Sequence, residues 1–175
     1  STEGFSEYLK AVTKIINNCN DYNYIFKTKS SIEHIYYTIG SQYTKIFDDL
    51  LKNKNIKFFD DKKILELDIN THQLIAASEI CVSTSLSSLS YDALCAKKKC
   101  IIFDPDKIYN HEEYIYTKSK LIYSQNYLEL CELLSYWKND DNLHMVETIN
   151  KTLIKPNIDK YCDQDSIKRF ADNLK

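Results

Sequence analysis

Hydrophobic positions in this chain follow a helical period in some segments and form short continuous runs in others. Residues 5–18 carry apolar side chains at helical spacing, at Phe5, Leu9, Val12 and Ile16. The same period predicts further helices over 31–53, 71–78, 87–97, 126–139, 141–154 and 164–175. Ser30 or Ser31 is the expected N-cap of the second helix.

Short runs of strand-forming residues separate these helices. They lie at 22–27, 55–61, 79–84, 99–105 and 120–124, and those in the second half are almost wholly apolar. Such strands are typical of sheets that helices cover on both faces. No tight-hairpin signal such as Asn-Gly joins two runs. The alternation predicts the α/β class, with a doubly wound, Rossmann-like parallel sheet in a single domain.

Composition agrees with one folded domain and excludes some partners. The 175 residues are 43% hydrophobic and 27% charged, which are globular values. A net charge of −2 and a single arginine, Arg169, argue against nucleic acid as a partner. No apolar run approaches the roughly 20 residues of a membrane span, and no signal peptide opens the chain. We therefore expect a cytoplasmic location, and the start at "STEGF" suggests a fragment of a longer protein.

The six cysteines form no C-x-x-C pair. Cys81 and Cys100 sit inside apolar runs, where a thiol behaves as a small buried hydrophobe. Neither a disulfide framework nor a zinc site is expected from this spacing. The thiols favour a reducing compartment.

Candidate chemistry concentrates in the Ser-rich segment 83–88, between a predicted strand and a predicted helix. Ligands of open parallel sheets bind beyond the carboxyl ends of the strands. A helix start there offers free N–H groups and a positive dipole end to a phosphate, and Ser87 and Ser88 add hydroxyl donors. Ser85, Ser88 and Asp92 share one helix face, which places an acid where it could accept hydrogen bonds from ribose.

Ordinary helix capping fits the same residues, since serine is a favoured N-cap and an acid is favoured near a helix start. Neither G-x-G-x-x-G nor the P-loop motif occurs. Lys97–Lys99 follow the same helix, and we expect them to interact with the negative end of its dipole. The residues alone thus leave a phosphate site and a capped helix as alternatives.

The segment "LIAASEICVSTSLSSLSYDALCAKKKCIIFDP", residues 74–105, resembles the C-terminal domain of GT-B type bacterial surface-polysaccharide glycosyltransferases, which build capsule and lipopolysaccharide. Their pattern also runs from a helix and strand through a Ser-rich turn and an acidic helix position to a strand ending in Asp-Pro. "YCDQDSIKRFADNL", residues 161–174, is similar to the closing segment of that group. The resemblance implies that residues 1–175 form the nucleotide-sugar (donor) binding domain of a longer, two-domain enzyme.

The resemblance also implies roles for particular residues. Ser87 and Ser88 would meet the donor phosphate, and Asp92 would hold the ribose, where the family more often has Glu. Lys27 and Lys29, in "FKTK", would neutralise the leaving phosphate, although no His-Pro follows Lys27 as it does in relatives. Helix dipole and basic side chains would stabilise that leaving group, so no metal and no cofactor beyond the nucleotide-sugar substrate is implied.

Further predictions concern the cleft and the partners. Ser85, Asp104 and His111 are candidates for lining the cleft, since they follow predicted strand ends. The resemblance implies that a separate N-terminal half binds the glycan or lipid-linked acceptor and supplies the base, so this half binds donor without turning over alone. It also implies a peripheral position at the inner membrane face for the full-length protein. Donors that carry uridine, cytidine or guanosine are all compatible with the implied phosphate and ribose site.

Two alternatives stay open. "IIFDPD" ends a strand in Asp104-Pro105-Asp106 and mimics the D-x-D metal site of GT-A glycosyltransferases, although the order of elements favours a plain turn on proline. A domain of this class could also be a non-catalytic receiver-like or docking module. Asp60 and Asp61 follow a strand, but receivers need an acidic pair after the first strand, and a solvated turn explains these two.

Overall fold

We describe the fold from a computed structural model, which covers residues 2–19, 22–84, 87–108, 117, 119–139 and 144–157. The helices are α1 (Thr2–Asn18), α2 (Ile32–Thr38), α3 (Ser41–Lys52), α4 (Asp61–Glu66), α5 (Thr71–Ala77), α6 (Ser88–Cys95), α7 (Tyr127–Asn139), α8 (His144–Ile149) and α9 (Lys155–Asn157), with a π-helical segment at Asn150–Ile154. The strands are β1 (Tyr24–Lys27), β2 (Ile56–Phe59), β3 (Ile80–Ser83), β4 (Lys99–Phe103) and β5 (Tyr123–Ser124).

The predicted α/β class is confirmed, because helices connect strands that all pair in parallel. The described strands form two sheets, β1-β2 and β3-β4-β5. Phe26 lies opposite Phe58 in the first sheet, and Val82 lies opposite Ile101 in the second. Ile101 and Ile102 are both 0% exposed, so β4 is covered on both faces, as its apolar sequence predicts.

Two apolar clusters form the core. One joins α1, α2, α3 and the first sheet through Leu9, Ile16, Phe26, Ile35, Ile39, Phe47, Leu50 and Ile56. The other surrounds β4 and includes Leu94, Ile122, Leu130, Trp137, Ile149 and Ile154. Tyr8 on α1 connects them, since its ring centroid lies 6.0 Å from that of Phe26 and 6.2 Å from that of Phe103. α1 therefore spans both sheets.

The helix predicted over 31–53 is interrupted. Ser31 caps α2, in agreement with one of the two expected N-caps, and its side chain accepts from the N–H of His34. Gly40 then adopts a φ of 75°, a conformation that glycine tolerates best, and α3 begins after it. The apolar period continues across this break, which is why periodicity alone predicts one helix.

Three other expectations need correction. Residues 61–66 form α4, where a solvated turn at Asp60 and Asp61 and no helix was predicted, because the Asp60 side chain accepts from the N–H of Lys63 at 2.8 Å and caps a helix with little apolar face. The strand predicted at 120–124 is reduced to β5. The run Lys97–Lys99 does follow the end of α6, but Lys98 Nζ donates to the carbonyl of Ala76, at the end of α5, and not to a carbonyl of its own helix.

Several predicted segments lie partly or wholly outside the described residues, including the helix at 164–175 and most of the loop after β4. The helix predicted over 141–154 is present as α8 and the π-helical segment. Within the described part of the chain, no helix is both long and apolar enough to cross a bilayer.

Candidate functional site

A cavity of about 630 Å³ lies between the two sheets. Its interior is walled by β1 and β3 and by α2 and α5, with apolar side chains at Ile25, Phe26, Ile35, Leu74, Ile75, Ile80 and Val82. At the carboxyl ends of β1 and β3 the lining becomes polar. We call this polar end the mouth, and it consists of Lys27, Thr28, Lys29, Thr84, Ser87 and Ser88.

All four predicted phosphate-binding residues line the mouth. Lys27 and Lys29 come from the end of β1, and Ser87 and Ser88 come from the start of α6. The two groups are far apart in sequence, so the fold itself brings them together. Open parallel sheets bind ligands at such a crevice, where loops leave the carboxyl ends of strands on either side of a change in strand order.

The two lysines of the mouth differ in their electrostatic state. Lys27 Nζ donates to Asp61 Oδ1 at 2.5 Å and to the carbonyl of Thr28 at 3.0 Å, and its side chain is only 17% exposed. Its charge is therefore already compensated from α4. Lys29 is exposed and pairs with no acid among the described residues. Lys29 thus carries the uncompensated positive charge of the pair.

The start of α6 is organised by a serine network. The Ser87 hydroxyl accepts from the N–H of Ser90 at 3.4 Å, and Ser90 Oγ accepts from the N–H of Ser87 at 3.3 Å, which makes a capping box. Ser90 Oγ also donates to Ser83 Oγ at 2.9 Å, which ties the helix start to the end of β3. Ser90 is not among the predicted site residues, although a polar residue three positions after an N-cap is a known capping signal.

The first turn of α6 keeps donors available at the mouth. Ser88 and Leu89 follow the N-cap, line the cavity, and have N–H groups without an acceptor in the described part of the chain. Ser88 is exposed, whereas Ser87 is half-buried and engaged in capping. Free N–H groups and the positive dipole end of a helix are what a bound anion needs. Ser85 lies outside the described residues.

Asp92 lies one turn further along α6 and does not line the cavity. Its Oδ2 is 3.1 Å from Nε2 of His72 on α5, and the two side chains are 44% and 69% exposed. The structure thus gives Asp92 a histidine partner that sequence spacing did not indicate. Its carboxylate remains open to solvent beside the mouth.

Asp104, at the end of β4, is only 2% exposed and lies outside the cavity lining. Its Oδ1 accepts from the N–H of Ile108 at 3.1 Å, and its Oδ2 accepts from the hydroxyl of Tyr123 at 2.7 Å. Burial and this hydrogen bond raise the pKa of Tyr123 to about 12. Both carboxylate oxygens therefore hold the turn after β4, which favours the turn over the D-x-D metal site. His111 lies outside the described residues.

Two cysteine thiols also line the cavity. Cys81 and Cys100 lie opposite each other on β3 and β4, and burial raises the pKa of both thiols. Both line the cavity as uncharged side chains. Among the described residues, no three His, Cys, Asp or Glu side chains gather as a metal site would require.

Comparison with known proteins places the chain in one family. The family model described as "polysaccharide biosynthesis PFTS motif protein" matches residues 1–134, which is more than half of the chain. No curated protein and no solved structure matches it.

Proposed function

The chain belongs to the polysaccharide biosynthesis PFTS motif family, and we propose that its mouth binds the phosphate of a nucleotide-activated sugar donor. In this proposal residues 1–175 are the donor-binding domain of a GT-B type glycosyltransferase of surface-polysaccharide assembly. The observation that carries it is that the exposed Lys29 side chain and the free N–H groups of Ser88 and Leu89 line the same end of one cavity.

The phosphate would lie at the start of α6. The N–H groups of Ser88 and Leu89 would donate to its oxygens, the Ser88 hydroxyl would add a third donor, and Lys29 would supply a full positive charge. A helix terminus alone contributes about 0.3–1 kcal/mol to holding an anion, so the lysine is needed for useful affinity. As the donor bond breaks, the same groups would stabilise the charge that develops on the leaving phosphate.

The ribose would lie further along α6, over Asp92. Ser88 and Asp92 are four residues apart, which on a helix means the same face and a rise of about 6 Å. His72 occupies Oδ2 of Asp92, which leaves Oδ1 for the ribose hydroxyls. Transfer itself requires an acceptor and a base from a second domain, so the isolated chain would bind donor without turnover.

Calorimetric titration of the chain with UDP, CDP, CMP and GDP, each with and without magnesium, tests this function. We expect micromolar-to-millimolar binding of one nucleotide without magnesium, and Lys29→Ala should weaken it about tenfold, equivalent to about 1.4 kcal/mol. Lys45→Ala is the matched control, because Lys45 is exposed on α3 and does not line the cavity. Asp92→Ala should also weaken binding if the ribose lies over α6.

Each alternative has its own outcome. Binding that requires magnesium and is lost in Asp104→Asn would replace this site with the D-x-D site. Binding that Lys29→Ala and Lys45→Ala weaken equally would reflect net charge and contradict a phosphate at the mouth. Absence of binding for every nucleotide would favour a docking module.

A further inference from the structure

The two sheets have open edges that line the same cavity. In the described part of the chain, β1 pairs only with β2, and β3 pairs only with β4. Ile25 and Phe26 of β1 and Ile80, Cys81 and Val82 of β3 all line the space between these edges. Ile25 is 40% exposed, although it lies within a strand. Unpaired strand edges beside apolar side chains are a template for a further strand.

Hydrogen bonding identifies the backbone groups on these edges. Tyr24 donates to the carbonyl of Asn55, just before β2, and Thr28 donates to the carbonyl of Phe59 in β2. The alternate residues Ile25 and Lys27 therefore direct their N–H and C=O groups to the open side. On the other sheet, Ile102 donates to the carbonyl of Ile122, just before β5, so the preceding residue of β4, Ile101, directs its backbone groups to β3. Val82 lies opposite Ile101 and therefore directs its N–H and C=O groups away from β4, into the space between β1 and β3. Ile80 does the same. We call this space the gap.

The connectivity indicates what belongs in the gap. Read across the gap, the strand order is β2-β1-gap-β3-β4-β5. A strand that preceded β1 in the chain and filled the gap would become strand 1 of a six-stranded sheet in the order 3-2-1-4-5-6. This is the strand order of doubly wound nucleotide-binding sheets. In it the order reverses between strands 1 and 4, which is where the added strand would lie beside β3.

The placement of α1 supports the same connection. Parallel strands joined through a helix form right-handed crossovers in about 98% of cases, so successive crossovers in one direction place their helices on one face. α3 is the crossover helix between β1 and β2, and α1 packs beside it. Tyr8 of α1 reaches both Phe26 and Phe103, so α1 lies over the gap as well as over β1. α1 thus has the position of a crossover helix whose first strand lies in the gap.

We propose that a sixth parallel strand, from the segment directly preceding α1 in the full polypeptide, lies between β1 and β3 and joins the two sheets into one. It continues both existing ladders by pairing with Ile25 and Lys27 on one side and with Ile80 and Val82 on the other. The strand occupies the apolar interior of the cavity and leaves the mouth open. Its carboxyl end meets the mouth beside Lys27 and Thr84. The inference does not depend on the ligand proposed above.

Amide hydrogen exchange measured by NMR tests this strand. The 175-residue chain is compared with the same chain extended by the residues encoded directly upstream. In the shorter chain the amides of Ile25, Lys27, Ile80 and Val82 should exchange rapidly, and in the extended chain they should slow about 100-fold. The amide of Phe26, which faces β2, is the internal control and should be protected in both chains, which also verifies folding.

Three results would overturn the proposal. The first is unchanged exchange of the four amides in the extended chain while Phe26 stays protected. The second is cross-strand contact between β1 and β3 themselves, or protection in the shorter chain that rises with protein concentration, which would assign the edge to a second copy. The third is an upstream sequence that contains no strand-forming run.

Discussion

Lys27 at the end of β1 is joined to Asp61 at the start of α4, with Nζ and Oδ1 2.5 Å apart. The lysine is largely shielded, at 17% side-chain exposure, whereas the aspartate is 64% exposed. The ion pair therefore holds the Lys27 ammonium at the mouth, while the Asp61 carboxylate neutralises most of its positive charge. Lys27 becomes available to a ligand only when the pair opens.

Removing the acid should release this cation. Asp61→Asn leaves Lys27 uncompensated beside Lys29, and we expect the affinity for the bound nucleotide to rise about threefold, equivalent to about 0.7 kcal/mol. Asp49→Asn makes the same charge change on an exposed face of α3 and should alter affinity little. Titration calorimetry of both variants checks this. Equal gains in the two variants would mean that only net charge matters and that Lys27 is remote from the ligand.

The serines of α6 should separate into structural and ligand-binding groups. Ser90 is 1% exposed and its hydroxyl joins the capping box to Ser83, so Ser90→Ala should lower the free energy of unfolding by about 1–2 kcal/mol. Ser88 is exposed, and Ser88→Ala should change stability by less than about 0.5 kcal/mol while weakening nucleotide binding. Urea unfolding and titration of both variants test the division. A stable Ser90→Ala protein would show that this network is dispensable.

Lys97 ends α6 in a left-handed conformation, with a φ of 58°. The N–H of Lys98 bonds to the carbonyl of Ala93 at 2.9 Å, which is the pairing of a helix end that favours glycine at this position. Lys97→Gly should therefore raise the free energy of unfolding by about 1 kcal/mol. Lys97→Ala is the control for the lost side chain and should give no gain. Thermal or urea unfolding measures both, and equal effects would contradict backbone strain at this site.

Tyr123 makes the stability of the turn after β4 depend on alkaline pH. Burial and the hydrogen bond to Asp104 raise its pKa to about 12 in the folded chain, above the value of about 10 in an unfolded one. The contribution of Tyr123 to the free energy of unfolding is complete below a pH of about 10. It is lost as the pH rises through the folded pKa, because Tyr123 gives up its proton more readily in the unfolded chain than in the folded one.

Comparison of Tyr123→Phe with the unchanged chain isolates this effect. The variant should be less stable at neutral pH, since Oδ2 of Asp104 loses its donor, yet its urea midpoint should fall less between about pH 10 and 12. Parallel pH dependence in the two chains would mean that Tyr123 ionises equally in the folded and unfolded states.

Local rules account for much of the fold. The apolar run of β4 predicts a strand covered on both faces, and Ile101 is 0% exposed. Ser31 and Ser87 act as N-caps because a hydroxyl reaches an N–H three residues ahead, a relation written in the sequence itself. Because these rules reach only a few residues along the chain, two features of the helices were predicted wrongly. α4 depends on the Asp60 cap and has little apolar period, and the break at Gly40 lies inside a period that continues.

The sequence by itself determined most of the helices and strands, the parallel α/β class, and the gathering of hydroxyl residues at the start of α6, because these follow from interactions within three or four residues. Only the tertiary structure decided that Lys27 pairs with Asp61, that Asp92 meets His72, and that the mouth opens on a gap between β1 and β3. These relations join elements far apart in the chain, and their geometry comes from how helices pack across two sheets, which no local period encodes.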